Sequence, residues 1–314
     1  MKLFERQLVD ETTPKVYIGR RIFNNRQGPQ PVEAVIENLL ARQDLGRLND
    51  AVAYAADLRQ CIEPLKCQVK PLKKPVRAET TSDAAFVTLC DLLRTALPPV
   101  PVRDALAFAQ IGDDYRGETT VTHRKGRASE VRRHFTQSSS SGRKGRLLSA
   151  AVRSFQPRLV LELGTAYGIS GFFIASALKA INAAEPGRLV TVEGFEPQAT
   201  LSRNLLQSRF GSAVEFEFGV ASHSIPRLAE RLSDVDFYFH DAGHTYADYV
   251  HDVTTMLPKM ASGSVLLLDD IRWDDRRFTD TPSRAYEGWQ AIVNHPRTRA
   301  AAEIDGELGI VVFD

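Results

Sequence analysis

With 314 residues, 43% of them hydrophobic and 25% charged, the chain has a globular rather than a disordered composition, with room for one large domain or two ordinary ones. The net charge of +1 hides an asymmetry: residues 1–150 carry 25 Lys+Arg against 17 Asp+Glu, and the remainder 15 against 22. A basic half thus precedes an acidic one, which fits solvated surface first and steering of an anionic partner second.

Cys61, Cys67 and Cys90 show no metal-ligand spacing, and no apolar run approaches the length of a membrane span. The opening Met-Lys-Leu-Phe-Glu-Arg is charged too early for an export signal. A reduced, cytoplasmic setting without membrane contact is therefore expected.

Residues 1–30 carry turn signals at Asn24-Asn25 and Gly28-Pro29 but no functional one. From Pro31 to about Leu58 the apolar positions Val35, Ile36, Leu39, Leu40, Leu45, Leu48, Val52 and Ala55 recur at helical spacing. One long helix and a two-helix hairpin broken near Gly46 fit equally. Lys70-Pro71-Leu72-Lys73-Lys74-Pro75 reads as a proline-punctuated connector. A second helix is predicted over 83–97, with Ala85, Phe86, Leu89, Leu92 and Leu93 on one face and a stop at Pro98-Pro99. Such helices ahead of a core either pack on it, the plainer role, or make a homodimer surface or a lid.

Residues 123–146 hold His123, Arg124, Lys125, Arg127, Arg132, Arg133, His134, Arg143, Lys144 and Arg146 against one acid, Glu130, with a serine-rich joint at 138–141. Phe135 is the lone aromatic there, so nucleic acid is not the expected partner. A solvated linker or lid is the plainer reading and a site for a phosphorylated or acidic substrate the alternative. An N-terminal, mainly helical region of 1–135 is expected to precede a second domain over 136–314.

That second domain is organised by 159–175, Leu-Val-Leu-Glu-Leu-Gly-Thr-Ala-Tyr-Gly-Ile-Ser-Gly-Phe-Phe-Ile-Ala, preceded by a short helix over 145–155. Leu159, Val160, Leu161 and Leu163 read as a central parallel strand apolar on both faces. Glu162 is a carboxylate near the carboxyl end of that strand, the edge at which open α/β sheets bind ligands. Gly164, Thr165 and Gly168 then turn the backbone sharply and bring main-chain amides near a ligand, and Ser170 opens a helix. A dinucleotide fingerprint needs glycine at 166, where this chain has alanine.

What remains, Glu-x-Gly-x-x-x-Gly after a strand, resembles the first motif of the class I S-adenosylmethionine-dependent methyltransferases, whose glycine loop passes under the amino-acid end of the cofactor. The helix over 145–155 is similar to the lead-in helix of the catechol and caffeoyl-CoA O-methyltransferases. The resemblance covers about residues 140–314 and implies an α/β fold: a doubly wound, Rossmann-like sheet of seven mostly parallel strands, here with an N-terminal helical extension.

Downstream the alternation is regular. A helix over 170–181 leads to a strand over 188–192, ending at Glu193 and Gly194. Two vicinal ribose hydroxyls suit one ionised carboxylate, so Glu193 is the predicted ribose acceptor and Glu196 the alternate. A helix over 198–210 precedes a strand over 214–218, and Gly219, Val220 and Ala221 would face the adenine by topology. After a helix over 225–232, strands over 235–240 and 263–268 continue a right-handed parallel sheet. Residues 302–313 hold two apolar strand patterns around Asp305-Gly306, a hairpin signal that sets a methyltransferase sheet apart from a dinucleotide-binding one.

The chemistry falls at two strand ends, Asp241-Ala-Gly-His244 and Asp269-Asp270-Ile-Arg-Trp273. Three carboxylates on one sheet edge need a counter-ion, and hard oxygen ligands select Mg²⁺, Mn²⁺ or Ca²⁺ over zinc. The pattern resembles the divalent-metal-dependent O-methyltransferases, which place an Asp after one strand and Asp-Asp or Asp-Asn after the next. Catechol-type members have Lys three residues after the first Asp; His244 here is similar to the macrocin type. The resemblance implies Asp241, Asp269 and Asp270 as metal ligands, with Asp241 also beside the cofactor, and His244 as the base that deprotonates a small-molecule hydroxyl. Trp273 and the polar stretch 272–286 would face the acceptor; Trp289 is a second pocket candidate whose plainer role is packing a helix on the sheet, and His240 reads as a satisfied core residue. A metal-independent N-, C- or O-methyltransferase, or a cofactor-binding regulatory protein without turnover, is the alternative.

Overall fold

The structure is a computed structural model that describes residues 15–16, 30–31, 56–63, 65–73, 80–117, 121–122, 128–129, 140–185, 187–273 and 282–314. The chain divides into two compact units, 1–63 with 100–137 and 64–99 with 138–314. The first contains a helix at Val102–Gly117 and two short two-residue strand pairs, Lys15–Val16 with Gln30–Pro31 and Val121–Thr122 with Ala128–Ser129. The helical pattern expected over 31–58 lies almost wholly outside the described residues, as do 123–127, 130–139 and 274–281.

The second unit is built on one eight-stranded sheet. Its strands are β1 (Val69–Lys73), β2 (Leu159–Leu163), β3 (Arg188–Glu193), β4 (Val214–Phe218), β5 (Val235–His240), β6 (Met260–Leu268), β7 (Thr298–Ile304) and β8 (Leu308–Phe313), in the spatial order β1-β7-β8-β6-β5-β2-β3-β4. The β6-β5-β2-β3-β4 segment is parallel, and β8, β7 and β1 add antiparallel edges. Seven of these strands answer the predicted pattern. The eighth is a correction, because the proline-punctuated connector at 70–75 begins as β1, paired to β7 and counted with the sheet rather than with residues 1–63. Pro71 obscures this in sequence, yet at a sheet edge its missing N–H leaves no ladder partner unsatisfied.

Helices cover both faces. These are α1 (Thr81–Thr95), α2 (Gly142–Phe155), α3 (Ile169–Ile181), α4 (Glu196–Phe210), α5 (Ala221–Arg231), α6 (Tyr246–Met256) and α7 (Ala285–Val293). One layer is α5-α6-α7 and the other α1-α2-α3-α4. Strand alternation divides the core between them: Leu161, Leu163, Val190, Val192 and Tyr238 pack with Ile225, Leu228, Val253 and Trp289. Glu162 points to the opposite face, toward α3. The hairpin turn predicted at Asp305-Gly306 joins β7 to β8 with both residues at positive φ, 55° and 73°.

Candidate active site

Because β2 to β6 run parallel, their carboxyl ends form one rim, and the register makes that rim level. Leu163 stands beside Val192 and His240, His240 beside Leu268, and Glu193 beside Phe218. The ladder continues one residue beyond each strand. Gly164 N–H donates to Val192, Asp241 N–H to Leu163, Asp269 N–H to His240 and Gly219 N–H to Glu193, all at 2.9–3.0 Å. The predicted site residues of the two regions therefore come together at the same edge.

On the β2–β4 side the main chain does most of the shaping. Gly164 has φ +87°, and a Cβ there would fall 1.8 Å from the carbonyl oxygen of Asp241. Gly168, at φ +81°, caps α3 without a side-chain acceptor, leaving the first amides of that helix for a ligand. Ala166 also takes a left-handed conformation, φ 45°, and its N–H donates to Glu193 Oε2 at 2.7 Å; Phe195 N–H donates to Oε1 at 2.8 Å. Glu193 thus ties the loop after β2 to the loop after β3. Burial raises its pKa against these main-chain donors.

Glu162 lies beneath that loop, fully buried. Thr191 donates to its Oε2 at 2.5 Å, Thr165 stands 2.5 Å from Thr191, and Ser170 hydrogen-bonds the same carboxyl. A Cβ on Gly171 would come within 3.0 Å of Glu162 Oε2, so the glycine admits the carboxyl to the start of α3. Burial pushes the carboxyl up to about 7 despite the Ser170 and Thr191 bonds, with Glu193 adding to the rise. Beyond β4, Gly194 fits tightly against Gly219 and Val220, and Phe218 and Val220 are exposed apolar side chains. Ala221 opens α5, four residues before the predicted helix start.

On the β5–β6 side the side chains carry the site. Asp241, His244 and Asp270 each offer a ligand atom within 4.8 Å of the others. Asp269 is more deeply set, its side chain 2% exposed against 20% for Asp241 and 36% for Asp270. Burial and mutual repulsion raise Asp241 far above the carboxylate range and Asp270 to about 6.

The orientation of His244 follows from Tyr249 on α6. The Tyr249 hydroxyl donates to the main-chain oxygen of Asp269 at 2.8 Å, so toward His244 Nδ1, 3.3 Å away, its oxygen acts as acceptor. This assigns the proton to Nδ1 and leaves a lone pair on Nε2, which faces Asp270 Oδ2 at 3.7 Å. Burial lowers the imidazole to about 4, so it is neutral near pH 7. Trp273 lies against the same ring, centroids 5.6 Å apart.

The sequence reading missed Tyr249 and Lys144. Of the basic stretch 123–146, the described cations are Arg143, Lys144 and Arg146, of which Lys144 and Arg146 turn inward while Arg143 stays exposed. Arg143 pairs with Asp305 at 2.5 Å, and Arg146 is buried against the carbonyls of Leu97 and Pro98. Lys144 hydrogen-bonds Asp269 and lies 3.9 Å from Asp241. Burial depresses its ammonium, but Asp241, Asp269 and Asp270 outweigh that and raise it above its ordinary value. Trp289 is a fully buried core residue as expected; His240 is buried too, its Nε2 paired with Asp252 at 3.0 Å, but its Nδ1 finds no hydrogen-bond partner among the described residues, so it is only half satisfied.

Comparison with known proteins bears on the family and the fold. Residues 161–271 match a family described as a methyltransferase domain. The chain is 30% identical over 135 residues to the catechol O-methyltransferase of Mus musculus, covering 41% of this chain and 48% of that protein. It is 31% identical over 139 residues to a probable O-methyltransferase of Mycobacterium tuberculosis, covering 41% and 56%. The chain thus spans about half the length of the curated relatives it matches. The structure of cofactor-bound Rv0187 from MTB has the same fold, with a TM-score of 0.50 at 20% identity over 76% of this chain and 99% of that one. No helix among the described residues is long and apolar enough to cross a membrane.

Proposed function

We propose that this chain, which carries a methyltransferase domain over residues 161–271 on a class I methyltransferase fold, is an S-adenosylmethionine-dependent O-methyltransferase acting on a small-molecule hydroxyl with help from a divalent cation. The observation that carries the reading is the shared rim, with a glycine loop and Glu193 on one side and Asp241, Asp270 and an oriented His244 clustered on the other, Asp269 standing next to Asp270 in the chain and outside that cluster.

The residues present suit both groups. Glu193 is the acceptor for ribose hydroxyls, the loop of Gly164, Thr165 and Gly168 with Ser170 borders the amino-acid end, and Gly194, Gly219, Val220 and Ala221 border the base. For the cation, the donor set decides: the carboxyl groups of Asp241, Asp269 and Asp270 face one ammonium, Lys144, so hard oxygen donors outnumber the positive charge beside them. Asp241, Asp269 and Asp270 would hold it.

When bound, the sulfonium supplies an electrophilic methyl and Mg²⁺ supplies Lewis acidity toward the acceptor hydroxyl. The chain's residues do the rest. His244 receives the hydroxyl proton at Nε2, the nitrogen left bare by the Tyr249 contact. Trp273 walls the imidazole and gives an aromatic or apolar acceptor a surface to lie on. The rigid strand ends fix these groups, which matters because an in-line displacement gains much of its rate from positioning.

The test is calorimetric binding of S-adenosylmethionine, followed by transfer of labelled methyl to a panel of hydroxyl acceptors with and without chelator. His244→Ala is expected to lower kcat by about 10²–10⁴-fold and leave cofactor affinity unchanged. Absence of cofactor binding overturns the whole reading. Full activity in excess chelator removes the cation alone and favours a metal-independent transferase, an alternative that Lys144 at Asp269 keeps open.

A further inference from the structure

Lys144 is delivered to the carboxylates by construction. It sits in the first turn of α2, where Ser141 Oγ accepts its main-chain N–H at 3.2 Å. On one side Arg143 is fastened to Asp305; on the other a Cβ on Gly145 would fall 2.1 Å from the Phe173 ring, so α2 lies pressed onto α3. One residue further, Arg146 anchors the helix to the carbonyls of Leu97 and Pro98. These contacts fix the main chain around Lys144 and leave its four-carbon stem, 29% exposed, as the part that can swing.

Asp269 sets the requirement. Its side chain is 2% exposed and ion-paired with Lys144, and a buried pair that loses one partner is strongly destabilising unless another takes its place. Lys144 meets that need here, and the same ammonium lies 3.9 Å from Asp241, a member of the cluster whose ligand atoms gather within 4.8 Å.

We infer that Lys144 is an internal competitor for the divalent-cation site, its ammonium and the cation alternating at Asp269. The inference rests on the metal-assisted reading above. Cation entry sends the Lys144 side chain toward solvent, and its departure draws the ammonium back, so the buried carboxylate is never left alone. Affinity for the cation is accordingly lower than the three carboxylates alone would give.

The inference is tested on the full chain with MnCl₂ and MgCl₂ as probes. In titration calorimetry Lys144→Met is expected to bind Mn²⁺ at least about tenfold more tightly than the native protein, since removing a competitor for the same anionic atoms raises apparent affinity. Lys144→Gln, which keeps a polar group at Asp269, covers the case in which the methionine variant does not fold. Reductive methylation of the native protein, read by mass spectrometry, gives an independent measure: Lys144 should be protected without cation and labelled several-fold faster with it. Equal or weaker Mn²⁺ binding by both variants, or Lys144 protection unchanged by saturating Mn²⁺, overturns the competition and leaves the metal site standing. No binding of either cation by any of the proteins overturns the metal reading and the inference together.

Discussion

The two sides of the rim are built differently. After β2 and β3 the site is made of main-chain conformation: Gly164, Ala166 and Gly168 at positive φ, amides turned inward, and Glu193 bridging two loops. After β5 and β6 it is made of side chains from separate elements, with Asp241, Asp269 and Asp270 at strand ends, Lys144 from α2 and Tyr249 from α6. The first side depends on a contiguous run of sequence. The second depends on what the fold brings together, and it concentrates charge where the first has little. On the function proposed above, the first side would be a general cofactor cradle and the second a specialised reaction centre, the division of labour expected when chemistry is grafted onto a common fold.

The sharpest way to break this division is at its seam, where Gly164 touches Asp241. Gly164→Ala puts a methyl where 1.8 Å separates it from a carbonyl oxygen and forces a side chain into φ +87°. Left-handed strain and overpacking together should cost about 3 kcal/mol or more of stability. Both sides should fail together, with S-adenosylmethionine binding lost in calorimetry and the urea midpoint lowered. A variant that kept cofactor affinity while losing only acceptor turnover would show the sides to be independent and the seam unimportant.

The same difference explains what could be read from sequence. The strands, the hairpin at Asp305-Gly306 and the glycine turn were legible because each is local, signalled by apolar runs and residues that permit positive φ. Asp241, Asp269 and Asp270 could be placed on one edge because parallel strands share an orientation. Lys144 could not, since it lies 125 residues from Asp269 and looks like one more cation in a basic run. Tyr249 was similarly hidden on the apolar face of α6, where only the packed structure shows its hydroxyl between His244 and the Asp269 carbonyl. Strand β1 was lost to Pro71, whose suitability for a sheet edge cannot be seen until the sheet is known.

A second experiment sharpens the comparison by acting on the cradle alone. Glu162 titrates near 7 in the fold against an ordinary value of 4.5, because burial disfavours its charged form. Between those values the unfolded chain binds fewer protons than the native one, so stability falls as pH rises. The contribution is fully present below about pH 4.5 and is lost through about pH 7, a change of roughly 3 kcal/mol. Glu162→Gln keeps an oxygen for Thr191 and cannot ionise. Urea unfolding of both proteins at pH 5.5, 6.5 and 7.5 should show the variant gaining relative to the native chain as pH increases. The carboxylates at Asp241 and Asp270 titrate in both proteins and cancel in the difference, so parallel stability curves would mean Glu162 is ionised throughout.

The smallest expected effect isolates main-chain conformation from side-chain chemistry. Ala166 holds φ 45° with its N–H committed to Glu193 Oε2, a backbone state in which glycine loses nothing to sterics. Relief of left-handed strain in Ala166→Gly, about 1–2 kcal/mol, is partly offset by the greater freedom glycine gives the unfolded chain, about 0.4–1 kcal/mol. A net stabilisation of about 0.5–1 kcal/mol is expected, read as a raised urea midpoint, with cation binding unchanged. Because the glycine also restores the second position of a dinucleotide fingerprint, the variant asks which feature excludes that ligand. If the third glycine and the helix packing it permits are what matter, Ala166→Gly will gain stability and still show no affinity for a dinucleotide. If it binds one, the alanine, rather than the spacing of Gly164 and Gly168, is what commits the cradle to its own ligand.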